Sequence, residues 1–162
     1  MGPMSASANP AENAVWCPRV TVAAVVCRDG RFLMVEESIR GRLCLNQPAG
    51  HLEDGEDIAD AVVRETLEET GWHIEPTHFV GVFPWINPSH GETVLRFCYA
   101  ARALRHDPRR PLDAGIVGAP WLSRAQIAAE ATRLRTSLVL DSVDAWLAGQ
   151  RLPLAAVARR PR

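Results

Sequence analysis

The stretch NQPAGHLEDGEDIADAVVRETLEETGW, residues 46–72, determines how the rest of the chain is interpreted. Its first part is a turn-rich segment with proline and glycines, and Asp57 is predicted to cap a helix that continues to about Thr70 and stops at Gly71. Three glutamates fall in the last turns of this helix, namely Glu65, Glu68 and Glu69. The backbone carbonyls already place partial negative charge there, so each exposed carboxylate is destabilising by about 0.3–1 kcal/mol.

The same helix carries its glutamates beside an apolar face. With about 100° of rotation per residue, five residues form that face: Ile58, Ala59, Val62, Val63 and Thr66. Glu65 and Glu69, one turn apart, lie on its border, and Glu68 lies slightly further round. A solvated acidic face is the usual explanation of such a run. At the border of a core, however, carboxylates need a cation, and hard oxygen ligands on one ridge favour a site for Mg²⁺ or Mn²⁺.

The segments around this helix predict one α/β domain. Apolar or alternating runs predict strands at residues 20–27, 31–37, 73–86, 92–104 and 116–122, with a short apolar piece at residues 43–45. Two further helices are predicted, one capped by Ser123 and one over residues 136–150. This mixture predicts an α/β/α sandwich, with a mixed β-sheet and helices on its faces. The domain is expected over residues 18–154, after a disordered segment at 1–17 and before a loose tail at 155–162.

Composition narrows the possible functions. The 162 residues, 47% of them hydrophobic, suffice for one sizeable core. A net charge of −1 with interspersed charges predicts neither a nucleic-acid nor a membrane partner. The four cysteines form no CxxC pair, and the five histidines match no zinc spacing. Without a signal peptide or an apolar run of about 18 residues, the chain is predicted to be cytoplasmic. The sequence leaves open whether it is a monomer or a homodimer.

The spacing within residues 46–72 resembles the Nudix box, G-x5-E-x7-R-E-U-x-E-E-x-G-U, in which U is a bulky aliphatic residue. All seven anchors other than U are present: Gly50, Glu56, Arg64, Glu65, Glu68, Glu69 and Gly71. Thr66 and Trp72 occupy the U positions, and these departures are expected to affect packing more than chemistry. Outside the box, VTVAAVV, FLMVEE, LNQPAGHLE, PWINP, LRF and GQRLPL are similar to the NudJ-type Nudix phosphatases. The similarity extends from Pro18 to Leu154.

The resemblance implies a Nudix fold and Mg²⁺-dependent hydrolysis of a diphosphate linked to another group, X. It implies that Glu65, Glu68 and Glu69 bind the metal together with the Gly50 carbonyl. It also implies that the three glutamates and Arg64 are catalytic, with Arg64 orienting Glu65. Glu56 would fix the geometry between the loop and the helix, and Gly71 would be structural. NudJ-type members act on nucleoside tri- and diphosphates and on a thiamine-precursor pyrimidine pyrophosphate.

Two questions about this site stay open at the level of sequence. Either Glu65 or Glu68 could take the proton of the attacking water. Many Nudix enzymes use a further acidic residue downstream of the box. The aligned position here is Gly115, and Asp113 is the nearest carboxylate.

Substrate contacts are predicted at five residues: His51, Trp85, Asn46, Gln47 and Arg96. Trp85 could stack on a ring or serve as a core aromatic. His51 could meet a phosphate or be an ordinary loop histidine, and Asn46 with Gln47 could read a polar ring edge or hold the turn. Arg96 is a candidate phosphate clamp, as are Arg31, Arg40 and Arg42, against the alternative of a surface charge.

Two other functions compete with the NudJ-like phosphohydrolase. One is a Nudix hydrolase of another substrate class, such as ADP-ribose or a dinucleoside polyphosphate. The other is a Nudix-fold sensor that binds nucleotides without hydrolysing them. Intact box carboxylates favour an enzyme over the sensor.

Overall fold

The computed structural model describes residues 15–159, which form nine strands and three α-helices. The strands are β1 Arg19–Arg28, β2 Arg31–Leu33, β3 Val35–Ile39, β4 Arg42–Asn46, β5 Ala49–His51, β6 Trp72–Ile86, β7 Thr93–His106, β8 Ile116–Gly118 and β9 Trp121–Ser123. The α-helices are α1 Ile58–Thr70, α2 Arg124–Ala129 and α3 Leu138–Leu147.

The main sheet has six strands, in the order β6-β7-β1-β2-β9, with β5 also paired to β1. Strands β1 and β7 run parallel, whereas the other pairs of this sheet are antiparallel. A second sheet has the order β4-β3-β8. The main sheet is therefore mixed, as predicted.

The helices lie on opposite faces of the main sheet. Alternate residues of β1 divide between two cores, because successive side chains of a strand point to opposite faces. Val22 packs with Ala61 and Val62 of α1, whereas Ala23 packs with Val139 of α3. This arrangement confirms the predicted α/β/α sandwich.

Two predicted strands are each divided between the two sheets. Residues 31–37 form β2 in the main sheet and β3 in the second sheet, and residues 116–122 form β8 and the start of β9. At the crossing, the Met34 amide donates to the Pro120 carbonyl at 2.8 Å. Pro120 has no amide hydrogen and cannot continue a ladder. The prediction of single strands at these places was wrong.

Helix α1 ends as its sequence predicts. Gly71 has φ 69°, and its amide donates to the Leu67 carbonyl at 2.9 Å. A Cβ at this position would lie 2.8 Å from the Asp107 backbone oxygen. Gly71 is therefore required for both its left-handed backbone and its close contact. At the U position, Thr66 is fully buried and donates its hydroxyl to the Val62 carbonyl at 2.8 Å.

The ends of the domain are only partly described. Of the segment predicted to be disordered, residues 1–14 lie outside the described part, and residues 15–17 are exposed without regular structure. At the other end, Leu154–Ala156 form a 3-10 turn and Val157 packs on the core beside α1. No helix within residues 15–159 has the length and apolarity needed to span a membrane.

Candidate active site

The carboxylates of α1 lie against strand β5. A Cβ on Gly50 would lie 2.1 Å from the Glu65 carboxyl carbon, so the missing side chain leaves the space that this carboxylate occupies. The neighbouring Ala49 amide donates to Glu69 Oε2 at 2.8 Å. The turn-rich segment before the helix therefore folds back as an edge strand, which the sequence analysis did not predict. This strand fixes the two glutamates at the border of the apolar face.

Arg64 connects the other carboxylates of the motif. Its guanidinium donates to both oxygens of Glu56, from Nε at 2.7 Å and from Nη2 at 2.9 Å. It also donates to Glu65 at 2.8 Å, to Glu68 at 3.0 Å and to the His51 carbonyl at 3.1 Å. Because the fork binds several oxygens at once, Arg64 fixes the positions of the carboxylates relative to the loop.

Burial and charge shift the pKa values of these groups in opposite directions. Burial, together with the charges of Glu65, Glu37 and Asp113, raises the pKa of Glu69 to about 8, although the hydrogen bond from Ala49 opposes the shift. Burial also raises the pKa of Glu65, although Arg64 opposes it. By contrast, the hydrogen bond from Arg64 lowers the pKa of Glu56. Ionisation is therefore disfavoured at Glu65 and Glu69, the two glutamates beside β5.

The donor set fits a divalent cation. Carboxylate oxygens held in a desolvated place without enough positive charge are ligands that Mg²⁺ or Mn²⁺ would stabilise. Glu69 forms no ion pair with any described residue. Within residues 15–159, no three acidic, His or Cys side chains are already grouped as metal ligands. Arg64 donates to Glu65 and Glu68, while Glu69 accepts the Ala49 amide.

A cleft of about 1260 Å³ opens beside Glu65 and Glu69. Gly50 and His51 of β5 line it, and so does Trp85 of β6. Glu68 is not part of its lining. The cleft thus connects the carboxylates to an aromatic side chain on the far side of strands β1 and β7.

The floor of the cleft contains polar groups that lack partners. Arg96 is only 6% exposed, and its Nε and Nη1 atoms form no hydrogen bond in the described part of the chain. The same holds for Thr21 Oγ1, Asn46 Oδ1 and Thr136 Oγ1, which belong to other cleft-lining residues. Buried polar groups are nearly always hydrogen-bonded in folded proteins. Because these unpartnered groups all line one cleft, they indicate that its floor binds a ligand.

Four of the five predicted substrate contacts line this cleft: His51, Trp85, Asn46 and Arg96. His51 Nε2 is 3.2 Å from Arg19 Nη1. The fifth, Gln47, does not line the cleft: its side chain is 1% exposed, and its Oε1 accepts the Ser142 hydroxyl at 2.8 Å. Its Nε2 is buried without a hydrogen-bond partner in the described part of the chain, so a contact of Gln47 with substrate stays a prediction. Of the other candidate clamps, Arg40 and Arg42 line the cleft, whereas Arg31 bonds Gln126 elsewhere.

Asp113 lies at the C-terminal end of α1. Its amide donates to the Glu68 carbonyl at 3.1 Å, and its charge raises the pKa values of both Glu65 and Glu69. Gly115 is joined to β3 through its carbonyl, which accepts the Ser38 amide at 2.8 Å. The carboxylate nearest to the aligned position therefore acts electrostatically on the site, although it does not line the cleft.

Sequence reasoning missed several residues of the cleft wall, namely Arg19, Thr21, Glu37, Arg133, Arg135 and Thr136. One of them had a signal in the sequence. Thr21 is a lone polar residue in the apolar run VTVAAVV, and it is 8% exposed. Glu37 and Arg135 form an ion pair at 3.1 Å, which joins residues 98 positions apart that no local pattern connects.

Comparison with known proteins identifies the family. The family model described as NUDIX domain matches residues 18–141. The chain belongs to the Nudix family. Phosphatase NudJ of Escherichia coli (strain K12) is 42% identical to this Nudix hydrolase over 140 residues, which cover 86% of this chain and 90% of the relative. Phosphatase NudJ of Shigella flexneri gives the same values.

Solved structures agree with this assignment. A NUDIX hydrolase from Nitrosomonas europaea has a TM-score of 0.86 and 45% identity, covering 88% of this chain and 97% of its own. A MutT NUDIX hydrolase from Burkholderia pseudomallei, with a TM-score of 0.67, 24% identity and coverage of 80% and 98%, shows the fold alone. The predicted family, fold and enzyme class are confirmed. Nudix hydrolases act on small molecules and generally use a divalent metal ion.

Substitution of Gly50 by alanine is expected to weaken metal binding by this Nudix hydrolase while leaving its folding stability nearly unchanged. The new Cβ would displace the flexible Glu65 carboxylate without breaking any backbone contact. We expect Mn²⁺ affinity to fall roughly 10- to 100-fold, as for other changes that misplace a metal ligand, with little change in the thermal midpoint. Calorimetric titration checks this. Gly118→Ala is the matched control, since its nearest contact would be an ordinary 3.8 Å. Equal Mn²⁺ affinities in both variants would contradict the expectation.

Proposed function

We propose that this Nudix hydrolase is a Mg²⁺-dependent phosphohydrolase of nucleoside tri- and diphosphates or of a thiamine-precursor pyrimidine pyrophosphate. The observation that carries the proposal is the desolvated pair Glu65 and Glu69, which lines a cleft of about 1260 Å³ that Trp85 also lines. The 42% identity to Phosphatase NudJ supports this substrate class over ADP-ribose or dinucleoside polyphosphates.

The three glutamates of α1 and the Gly50 carbonyl would hold the metal, with Mn²⁺ as a possible substitute. A bound divalent cation neutralises charge on a phosphate and lowers the pKa of water. Glu65 or Glu68 takes the proton of the water that attacks phosphorus. Asp113 adds negative charge at the end of α1 and increases the electrostatic demand for a cation.

Arg64 and Glu56 act as positioning residues in this proposal. Arg64 keeps the Glu65 carboxylate above β5 and ties the helix to the His51 carbonyl. Glu56 accepts from the Glu53 amide at 3.2 Å as well as from Arg64, so it couples the loop to the helix. His51 and Trp85 contact the substrate on opposite sides of the cleft. These contacts orient the diphosphate, which is most of what phosphoryl transfer asks of a protein.

A substrate panel tests the proposal. Purified enzyme with Mg²⁺ is offered nucleoside tri- and diphosphates, the pyrimidine pyrophosphate, ADP-ribose and a dinucleoside tetraphosphate, and phosphate and pyrophosphate release are measured. The proposal expects the largest kcat/KM in the first two groups, with release of phosphate. Preferred cleavage of ADP-ribose or of the dinucleoside would assign another substrate class. Binding without hydrolysis of any compound would contradict the enzymatic proposal.

The metal-free protein is expected to lose stability as the pH rises from about 5 to 8. Glu69 has a pKa of about 8 in the folded protein and about 4.3 when unfolded. Between these values the folded state holds a proton that the unfolded state has released, so the free energy of unfolding falls with pH. Each pKa unit corresponds to about 1.4 kcal/mol.

Thermal unfolding of wild type and Glu69→Gln at several pH values measures this effect. The variant lacks the titrating group, so the difference between the two profiles isolates Glu69 from other groups. The midpoint of the wild type should decrease more steeply with pH, and added Mg²⁺ should restore it at pH 8. Parallel profiles would show that Glu69 keeps an ordinary pKa.

A further inference from the structure

Arg96, in the floor of the cleft, forms no salt bridge with any described residue; burial lowers the pKa of its guanidinium, and the charge of Glu69 opposes this. Arg19, Arg133 and Arg135 also line the cleft, but each has a carboxylate partner at 2.5–3.1 Å. Arg96 is more buried than these and forms no ion pair within residues 15–159. An unpaired buried guanidinium is costly to the folded state. A group of this kind is better explained by ligand binding than by a contribution to stability.

The register of the main sheet places Arg96 in the middle of the cleft. In the register of the main sheet, His51 of β5 is paired with Thr21 of β1, Thr21 with Arg96 of β7, and Arg96 with Phe83 of β6. Neighbouring strands are about 4.8 Å apart, so this row spans roughly 14 Å. Gly50, at the carboxylate end, precedes His51, and Trp85 follows Phe83 by two residues on the same face. Arg96 therefore lies between the carboxylates and the aromatic side chain.

The unpartnered atoms around Arg96 are of mixed hydrogen-bonding type. Arg96 offers only donors, Asn46 Oδ1 is an acceptor, and the hydroxyls of Thr21 and Thr136 can act as either. A phosphate presents acceptors alone and would leave the Asn46 oxygen unsatisfied. A heteroaromatic ring presents acceptors and donors side by side along one edge. Trp85, half-buried in the same cleft, supplies a flat surface for such a ring.

We propose that Arg96, with Asn46, Thr21 and Thr136, recognises the polar edge of a heteroaromatic ring in the group X of the substrate. Arg96 donates to ring acceptors such as a carbonyl oxygen or ring nitrogen, Asn46 accepts from a ring amino or imino group, and Trp85 stacks on the ring. This inference rests on the proposed function and replaces the prediction that Arg96 clamps a phosphate. It makes Arg96 a specificity-determining residue.

The test compares substrates with and without a ring. Hydrolysis of cytidine triphosphate and of methyl triphosphate is measured with Mg²⁺ in wild type, Arg96→Met and Arg102→Met. Arg102 lies on the same strand, is exposed and pairs with Glu75 outside the cleft, so it serves as the matched control. We expect Arg96→Met to lower kcat/KM for cytidine triphosphate by roughly 10- to 100-fold, the range of a lost bidentate base contact. Turnover of methyl triphosphate should stay within about twofold.

Two outcomes would overturn the proposal. If kcat/KM fell equally for both substrates, Arg96 would bind a phosphate. If kcat/KM fell for neither, Arg96 would not contact the substrate. The substitution Arg96→Met removes a buried charge without an ion-pair partner, so the variant should unfold at a temperature no lower than that of the wild type. If Arg96 had a structural role instead, the unfolding temperature of the variant would be lower. Thr136→Val should reduce cytidine triphosphate turnover in the same selective way.

Failure of the proposed function is distinguishable from failure of this inference. If the wild type hydrolysed neither compound, binding of cytidine monophosphate and of inorganic phosphate would be titrated calorimetrically without metal. The inference then expects the wild type to bind cytidine monophosphate more tightly than phosphate, and Arg96→Met to lose that difference. Equal affinities in the wild type would overturn it.

Discussion

Replacing Glu69 by glutamine is expected to reduce kcat at least about 100-fold, the scale on which removal of one preorganised electrostatic group slows an enzyme. Glutamine has the same shape and can still accept the Ala49 amide, so the fold of β5 against α1 is kept. What is lost is the negative charge that a divalent cation requires. Phosphate release with saturating substrate measures kcat, and calorimetric titration measures Mg²⁺ affinity, which should fall together with it.

Asp60→Asn provides the matched control for this substitution. Asp60 lies on the same helix but in its first turn, where its side chain is 58% exposed and pairs with Arg159 at 3.5 Å. It should keep both wild-type turnover and wild-type Mg²⁺ affinity. If Glu69→Gln also kept both, Glu69 would be a structural carboxylate and the cation site would have to lie elsewhere.

Replacing Arg64 by methionine is expected to produce the second large effect. The substitution removes the shared donor to Glu56, Glu65 and Glu68. Glu56 and Glu65 are then left partly buried without their cation, which should lower the free energy of unfolding by about 1–3 kcal/mol. Metal affinity should fall roughly 10- to 100-fold because the carboxylates lose their orientation. Chemical denaturation and Mn²⁺ titration measure the two quantities.

Arg64→Lys distinguishes orientation from charge. Lysine keeps the positive charge but lacks the planar fork that reaches several carboxylates at once. The geometry predicts that its metal affinity lies closer to that of Arg64→Met than to wild type. As a positioning residue, Arg64 should affect kcat and metal affinity more than the KM measured at saturating Mg²⁺. Full rescue by lysine would show that only the charge matters.

Most of the fold could be predicted from the sequence because its elements carry local signals. Helix α1 has an apolar stripe and a terminal glycine, α2 has a capping box at Ser123 with Gln126, and β1 is a continuous apolar run. The division of residues 31–37 between two sheets has no such signal. It depends on a hydrogen bond from Met34 to Pro120, which are distant in sequence.

The carboxylate part of the site was predictable for the same reason, since its spacing lies on one helix and the turn before it. The floor of the cleft was not, because Thr21 and Arg96 become neighbours only through the parallel pairing of β1 with β7. Thr136 joins them from the segment before α3. Asn46 and Gln47 were equal candidates for reading a ring edge or holding the turn, and of the two only Asn46 lines the cleft, whereas the Gln47 amide oxygen accepts the Ser142 hydroxyl. Local sequence does not determine which of two adjacent amides faces the cleft.

Hydrolysis in ¹⁸O-labelled water tests the central claim most directly. Wild-type enzyme is incubated with a nucleoside triphosphate in labelled water, with Mg²⁺ or with a chelator, and the products are analysed by mass spectrometry. The proposed reaction predicts one ¹⁸O atom per bond cleaved, bonded to phosphorus in a product, and loss of turnover with the chelator. Unchanged hydrolysis in the chelator, or no incorporation of label on phosphorus, would contradict metal-dependent attack by water at this site.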